Sequence, residues 1–409
     1  MTVKNRYLWL GSYQSKELFE KMLSRNIGQA SGYASQKGLV KGFDALLDGV
    51  AVLDTIGVIS YPAYPVYPKR FADREEWKRT PDSRDVCVGY LNLKYLNYLT
   101  RSKALIKEVK LWAKTRVGTE NNIVIIYEPS AAKLKAAMYL KKKFGAKVFV
   151  IIPDVPEFVN LGANKLVRFA KKLDAKKQRK LFNDVDGFIC YSSKMADYYG
   201  FPDGKWILME GVFDNDEANI LAPGEKETDG TVRIMYCGAL DEFRGIPALL
   251  DAFDELRDGS YELWLTGAGR SDNLIKERIK TDSRIRHFGY LDSREEVLKL
   301  QQQADILIHT RDVTSPAAPY CFPSKLFEYL ASAKPVASVR VPGIPEEYFD
   351  YMTPIEEMTK EGIKAAILEV INKDSEEKKN TGRLAREFVL TKKNSREQAK
   401  KILDFIAKA

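Results

Sequence analysis

Histidine is nearly missing from this sequence: 409 residues contain two, His287 and His309. Metal sites built on imidazole, and nucleophile chemistry of the Ser-His-Asp kind, therefore have almost no material to work with. Cysteine is scarce as well. Four residues (Cys87, Cys190, Cys237, Cys321) stand far apart and form no Cys-x-x-Cys pair, so neither a zinc site nor a disulfide framework is expected, and the thiols are expected to be reduced. No apolar run approaches the roughly 18 residues that cross a bilayer. Residues 1–10 carry Lys4 and Arg6 without a following apolar signal segment, and a cytoplasmic chain is expected. Neither half holds a complete Gly-x-Gly-x-x-Gly fingerprint, which disfavours a dinucleotide-dependent oxidoreductase. Chemistry here should rest on Arg, Lys, Glu and backbone groups.

What is present is ordinary globular composition, 45% hydrophobic and 30% charged, which excludes disorder and collagen-like repeats. The length implies two or three folded units. Lys and Arg (65) outnumber Asp and Glu (56), leaving +9. That balance suits an anionic partner without choosing among nucleotide, nucleic acid and lipid headgroup.

Short β-branched and aromatic runs at 7–10, 52–58, 123–127, 147–152 and 187–191 read as strands and alternate with amphipathic stretches. Ser130 is placed to N-cap a helix over 131–144 that Gly145 ends, and Ser192 and Ser193 open another over 194–199. A polar, aperiodic stretch around 214–230 interrupts the pattern. The alternation then restarts, with strands at 232–237, 261–266, 285–288, 306–309 and 335–339 and helices at 247–256, 295–303 and 324–333. This predicts an α/β protein of two Rossmann-like, doubly wound domains facing a central cleft, where the carboxyl ends of both sheets bind ligands. The expected boundaries are an amino-terminal domain over 1–215, a linker over 216–230 and a second domain over 231–374. A charged helical segment over 375–409 is expected to cross back to the first domain.

Three stretches carry candidate chemistry. Gly238 to Gly245 follows a strand and precedes a helix, so its glycines permit close backbone approach while Arg244 offers a guanidinium suited to diphosphate oxygens; an ordinary turn with an exposed arginine fits equally well. Gly267-Ala268-Gly269 also follows a strand, but its third fingerprint position is Asp272. The stretch 321–331 is the most informative. Ser324 reads as a helix N-cap and Lys325 adds a cation beside the helix start. Glu328, about one turn on, is placed to accept bonds from a ribose diol, or else to be a surface glutamate.

These landmarks, with Phe288-Gly289-Tyr290 and the sequence 323–331 followed by Lys334-Pro335-Val336, resemble in kind and order the GT-B glycosyltransferases, specifically the family 4-like retaining enzymes of bacterial surface-polysaccharide synthesis. Weaker counterparts in the first half are Glu128-Pro129 and the stretch 206–213. The resemblance implies retaining transfer of a hexosyl or related sugar from a nucleotide-diphosphate-sugar to a glycan or lipid-linked acceptor, with no cofactor and no metal. It implies that Arg244 and Lys325 grip the donor diphosphate, Glu328 the ribose, and Tyr290 and Leu291 the base. Gly11 and Ser12 approach from the other domain, and Gly238, Gly245, Gly267, Tyr320, Cys321, Phe322 and Ser324 complete the donor site. Glu128 and Asp154 are cleft carboxylates, and Tyr127 is an acceptor-side candidate where relatives place a histidine. Two positions depart from the family pattern: Tyr320 replaces a glutamate that contacts the sugar, and Ala239 replaces an arginine of the first loop.

Other readings remain open. Asp184-Val185-Asp186 has the form of the metal-binding pair of the other large glycosyltransferase fold, but it precedes its strand and reads equally as a solvated turn. A GT-B sugar-nucleotide epimerase would need more acid and base groups, and a catalytically silent nucleotide-binding scaffold fits the two departures. Tyr61-Pro62-Ala63-Tyr64-Pro65-Val66-Tyr67-Pro68 suits either an extended carbohydrate-stacking segment or a loop with tucked aromatics. In 164–182, Leu166, Phe169, Ala170 and Leu173 recur at helical spacing among eight lysines and arginines, a pattern that suits an anionic membrane face or a helix packed on its own sheet. With these partners, no nucleic acid is expected, and the protein is expected to be peripheral on the cytoplasmic membrane face.

Overall fold

A computed structural model of the chain describes residues 5–23, 30–116, 122–158, 165–221, 229–257, 259–291 and 293–409. The chain divides into two units, Met1–Gly211 with Ser395–Ala409, and Val212–Asn394.

In the first unit the strands are β1 (Asn5–Gly11), β2 (Ala51–Gly57), β3 (Phe71–Ala72), β4 (Glu75–Trp77), β5 (Asp85–Cys87), β6 (Tyr90–Leu91), β7 (Ile123–Tyr127), β8 (Lys147–Ile152), β9 (Gly187–Cys190) and β10 (Trp206–Leu208). Eight of them form a sheet in the order β10-β9-β8-β7-β1-β2-β5-β4. It is parallel apart from β4, which runs against β5. Parallel sheets are covered on both faces, which is why every residue of β2 and β7 is buried and β7 is an unbroken apolar run. The helices are α1 (Lys16–Leu23), α2 (Ala30–Leu47), α3 (Asn97–Arg116), α4 (Ala131–Phe144), α5 (Lys165–Phe182) and α6 (Ser193–Tyr199). Ser130 caps α4 by accepting the Lys133 N–H at 3.3 Å, and Gly145 ends it at φ 68°, because a left-handed terminus favours a residue without Cβ.

The second unit holds β11 (Val232–Cys237), β12 (Tyr261–Thr266), β13 (Ile285–His287), β14 (Ile306–His309), β15 (Val336–Val339) and β16 (Thr353–Ile355) in one parallel sheet, ordered β13-β12-β11-β14-β15-β16. Its helices are α7 (Ile246–Asp254), α8 (Asp272–Thr281), α9 (Arg294–Gln303), α10 (Lys325–Ala331), α11 (Lys360–Asn372) and α12 (Ser375–Lys392). From β11 the chain winds outward through β12 and β13, then returns to β14 on the other side of β11. The strand order therefore reverses between β11 and β14, the place where open α/β sheets bind ligands.

Two stretches differ from expectation. Ala218 and Leu221 lie in the core of the second unit, so the polar stretch expected as a linker from 216 is anchored there through 221; residues 222–228 lie outside the described residues. The segment 375–409 is two helices rather than one: α12 belongs to the second unit and α13 (Ser395–Lys408) to the first. Helix α13 lies close against α2 at Gly42, where a Cβ would overlap the Ser395 carbonyl and crowd Ala399. Gln398 Nε2 donates to the Gly211 carbonyl at 2.6 Å, and the Phe405 ring meets Phe149 edge-on at 5.9 Å.

Gly42→Ala tests this docking by its sign. In an open helix interior the change stabilises by ~1 kcal/mol; here it should destabilise by about 1–3 kcal/mol, since the added methyl meets backbone rather than a side chain that can move. Urea unfolding of the two proteins measures it.

Candidate functional site

The two loops after β11 and β12 are built to touch. Gly238 (φ 154°) and Gly267 (φ 130°) both lie where side chains are rarely tolerated. A Cβ on Gly267 would overlap the Gly238 carbonyl, and one on Gly269 the Leu240 carbonyl. The N–H groups of the expected phosphate-loop glycines are already used: Gly238 donates to Thr266 O at 3.0 Å, Gly245 to Glu242 O at 2.8 Å and Gly267 to Gly289 O at 2.8 Å. These glycines set loop shape and do not serve as free phosphate donors. Asp272, in place of a third glycine, accepts the Gly269 N–H at 3.0 Å.

Arg244 closes a single 3₁₀ turn (Glu242–Arg244) that Gly245, at φ 76°, ends just before α7. Its carbonyl accepts the Thr310 hydroxyl at 2.8 Å, and Asp312 N–H donates to Phe243 O at 3.0 Å. The loop after β11 is thereby fastened to the segment leaving β14, across the point where strand order reverses. The Arg244 guanidinium lies 5.3 Å from the Phe243 ring centroid, and its Nε is buried with no partner.

Sequence reasoning missed Arg311, two residues beyond β14 and 5% exposed. Its NH1 donates to Cys321 Sγ at 3.3 Å, while its Nε is likewise buried without a partner. Burial, then Arg311 and Arg244, push His309 down to about 3, so its ring is neutral and Nδ1 bonds Ser338 Oγ at 3.0 Å. The available signal was positional: a cation directly after a strand next to the reversal point, outside any motif.

Helix α10 brings the next group together. Ser324 stands at the N-cap position of α10, as expected, but does not cap it: its backbone is already helical (φ −56°, ψ −22°) and its side chain makes no capping bond. The turn into the helix is closed instead by Leu326 N–H on Pro323 O at 2.9 Å. Glu328 is buried (6% exposed) and not a surface glutamate. It accepts from Lys325 Nζ at 2.7 Å, Arg294 NH2 at 3.1 Å and Gln301 Nε2 at 3.4 Å. Burial pushes its carboxyl up, but Lys325 and Arg294 more than offset this and hold it below the ordinary glutamate value. Arg294, also unforeseen, is shared with Glu217. Tyr329, buried at the next position, both accepts the Cys237 N–H at 2.8 Å and bonds its carbonyl, locking α10 to the end of β11. Tyr320 ends a 3₁₀ turn, Cys321 meets Arg311, and Phe322 packs on Phe327 and Tyr348. Tyr290 is 66% exposed, and Leu291 follows it beyond β13.

In the first unit, a cavity of about 380 Å³ is lined by Ser12, Gln14, Tyr33, Arg101, Glu128 and Lys133 among others. Ser12 is clasped by Gln36, which accepts its N–H at 2.9 Å and donates to its hydroxyl at 2.8 Å. Gly11 leaves room for that amide. Glu128, at the exit of β7, is exposed and holds φ 54°, a strained value for glutamate. Lys133 pins it, donating to the Tyr127 and Glu128 carbonyls at 2.8 Å each, and burial pulls that lysine down to about 8. Tyr127 itself is 3% exposed and stacks on Trp9 at 5.7 Å. Burial pushes its phenol well above the ordinary value, and it belongs to the core and not to the cavity wall. Asp154 is exposed at the exit of β8 and is not on the cavity wall.

Two sequence features resolve into structure. Asp186 accepts Lys141 Nζ at 2.7 and 2.6 Å and the Val148 N–H at 2.8 Å, which makes it a structural carboxylate between helix and strand. Tyr61 and Tyr67 are buried and stack at 4.4 Å, so the Tyr-Pro stretch does not present an aromatic strip.

Two α/β units with parallel sheets, the second carrying arginine, lysine and a buried glutamate around its strand reversal, define the GT-B architecture. Residues 231–373 match the family model of glycosyl transferases group 1, and the chain has the GT-B fold. Solved structures agree along the whole length. A glycosyltransferase from Rickettsia africae aligns with TM-score 0.67 at 14% identity, covering 99% of this chain and 98% of that one. A UDP complex of an Anabaena protein aligns at 0.57 and 13%, covering 99% and 100%. A UDP-forming α,α-trehalose-phosphate synthase from Burkholderia xenovorans, with glucose-6-phosphate, aligns at 0.65 and 9%, covering 98% and 100%. Among curated proteins no sequence matches the chain.

Glu328→Gln should cost about 3 kcal/mol at pH 7, because Lys325 and Arg294 lose their buried counter-charge. The wild-type advantage is present above the ordinary glutamate value of 4.5 and is lost as pH falls through the lower folded value. Denaturant curves from pH 7 to 3.5 should therefore converge for the two proteins; a constant gap would contradict the ion-paired assignment.

Proposed function

We propose that the protein transfers a sugar from a nucleotide-diphosphate-sugar to a glycan or lipid-linked acceptor, with retention of configuration and without a metal or cofactor. The observation that carries the reading is the group around the β11 exit: Arg244 with a partnerless Nε on the loop after β11, and the part-buried Lys325–Glu328 pair on α10, which Tyr329 fixes to the end of β11. As the glycosidic bond to the donor breaks, negative charge gathers on the departing diphosphate, and fixed cations aimed at that charge lower the barrier most. Arg244 and Lys325 supply them, doing what a divalent ion does elsewhere. Glu328, held by Lys325 and Arg294, presents acceptor lone pairs to the ribose diol. Because that carboxylate is already paired, it is no nucleophile, and the gripped phosphate guides the acceptor onto the face it leaves. The UDP of the Anabaena complex and the glucose-6-phosphate of the Burkholderia complex support a nucleotide donor and a sugar acceptor.

The cavity of the first unit, whose lining includes Glu128 and Arg101, suits the acceptor. Near it, α5 carries Phe169 and Leu173, 60% and 44% exposed, with exposed Lys172, Lys176, Lys177, Arg179 and Lys180. Asn164, and the side chains of Leu166 and Ala170 in the expected stripe, lie outside the described residues. Tyr98 Oη donates to Asp174 on α5 at 2.5 Å, which joins the helix to the exposed Tyr95, Leu96 and Leu99 at the start of α3. Apolar side chains that point outward among cations favour an anionic lipid surface. Among the described residues no helix is long and apolar enough to cross a membrane.

Two outcomes test this. Transfer, or slow donor hydrolysis, should survive EDTA, and Arg244→Ala should lower kcat about 100-fold with little change in donor KM, as expected of a cation that meets developing charge; an unchanged kcat would remove Arg244 from that role. The protein should sediment with anionic but not zwitterionic vesicles at low salt, and charge reversal at Lys172, Lys176 and Lys177 should abolish this. Equal recovery in the supernatant with both lipids would leave a soluble acceptor.

A further inference from the structure

Arg311 has none of the usual reasons for a buried arginine. Guanidinium groups enter protein interiors paired with carboxylates, because an unpaired buried charge is strongly unfavourable. The described residues show this habit elsewhere: Arg294 with Glu217 and Glu328, Arg79 with Asp44 and Asp85. Arg311 is 5% exposed, yet no described carboxylate pairs with it. Of its five N–H donors one meets a thiol, a weak acceptor, and its Nε meets nothing.

A second guanidinium, that of the half-buried Arg244, likewise has a buried Nε without a partner. The Thr310–Arg244 bond fastens the chain just before Arg311 to Arg244, and both cations act on His309 and on Tyr236. The neutral His309 cannot cancel them. Two arginines, one from each strand exit at the reversal of strand order, thus hold two positive charges around one spot with donors to spare. Its complement is a compact, doubly charged anion with several acceptor oxygens, and bidentate guanidinium geometry matches phosphate oxygens.

We infer that Arg311 is a binding residue for the donor's diphosphate, gripping it together with Arg244 so that the two guanidinium groups share the leaving group's charge. This rests on the nucleotide-sugar reading above. It assigns the site a third cation beyond Arg244 and Lys325 and places it just after β14, a strand that carries no phosphate-loop motif.

The test is calorimetric titration of the full chain with UDP, ADP, GDP, the matching nucleosides and inorganic pyrophosphate, for wild type, Arg311→Met and Arg311→Lys. Whichever diphosphate the wild type binds, Arg311→Met should bind it about tenfold or more weakly, with the nucleoside affected little. Arg311→Lys, which keeps the charge but loses the fork, should fall between. In turnover, kcat should fall more than donor KM rises. Melting of the ligand-free proteins separates this from a structural role: removing a buried, unpaired charge should leave the melting temperature unchanged or raise it, while the shift induced by diphosphate shrinks. Unaltered diphosphate affinity in both variants, or a lowered ligand-free melting temperature with a normal diphosphate-induced shift, would overturn the assignment of Arg311 alone. A wild type that binds none of the diphosphates would overturn the nucleotide-sugar reading and this inference with it.

Discussion

Positive charge held without a counter-charge at the exits of β11 and β14 is the constraint on which the second unit turns. Leaving guanidinium nitrogens buried and unpartnered, as at Arg244 and Arg311, is unfavourable for the empty protein. The surrounding packing has to hold them there. Much of the local architecture can be read as that support: the hydroxyl of Thr310 on the Arg244 carbonyl, the bond from Asp312 to Phe243, and Tyr329 fixing the start of α10 to the end of β11. The interactions that stabilise the sheet thus also keep the cations from relaxing into solvent, and a ligand that supplies the missing negative charge recovers what the apo site lacks.

Glu328, on α10, shows the opposite solution. Its charge is compensated by Lys325 and Arg294, and Gln301 donates a third hydrogen bond, which fixes the carboxylate in one orientation. A group meant to read a neutral diol needs fixed lone pairs more than it needs free charge, whereas a group meant to meet a leaving phosphate needs the reverse. Under the proposed function, these two treatments of charge would divide recognition of the ribose from stabilisation of the leaving group.

How much of this the sequence disclosed follows from how local each signal is. The β/α alternation was legible because strands buried on both faces are continuous β-branched runs, as at 123–127 and 147–152, and Ser130 with Gly145 marked both ends of α4. Helix α10 was legible from one compact segment. Ser324 misled because a serine before an apolar run resembles a cap, while Pro323 already sets the helical turn. Arg311 and Arg294 were not legible: their roles depend on sheet order and on partners 34 residues or more away in the Arg294–Glu328 case. The same holds for Tyr127, which reads as a strand-end polar residue and is in fact closed in by Trp9 and Tyr191. The break between α12 and α13 was hidden too, since both are charged, helix-forming stretches and only their packing separates them.

The account stands or falls on where the diphosphate goes. A crystal structure of the protein with the nucleoside diphosphate it binds most tightly should show the phosphate oxygens within hydrogen-bonding distance of both Arg244 and Arg311 and the ribose hydroxyls on Glu328. A nucleotide bound elsewhere, or one whose phosphates leave both guanidinium groups as they are in the empty site, would contradict it.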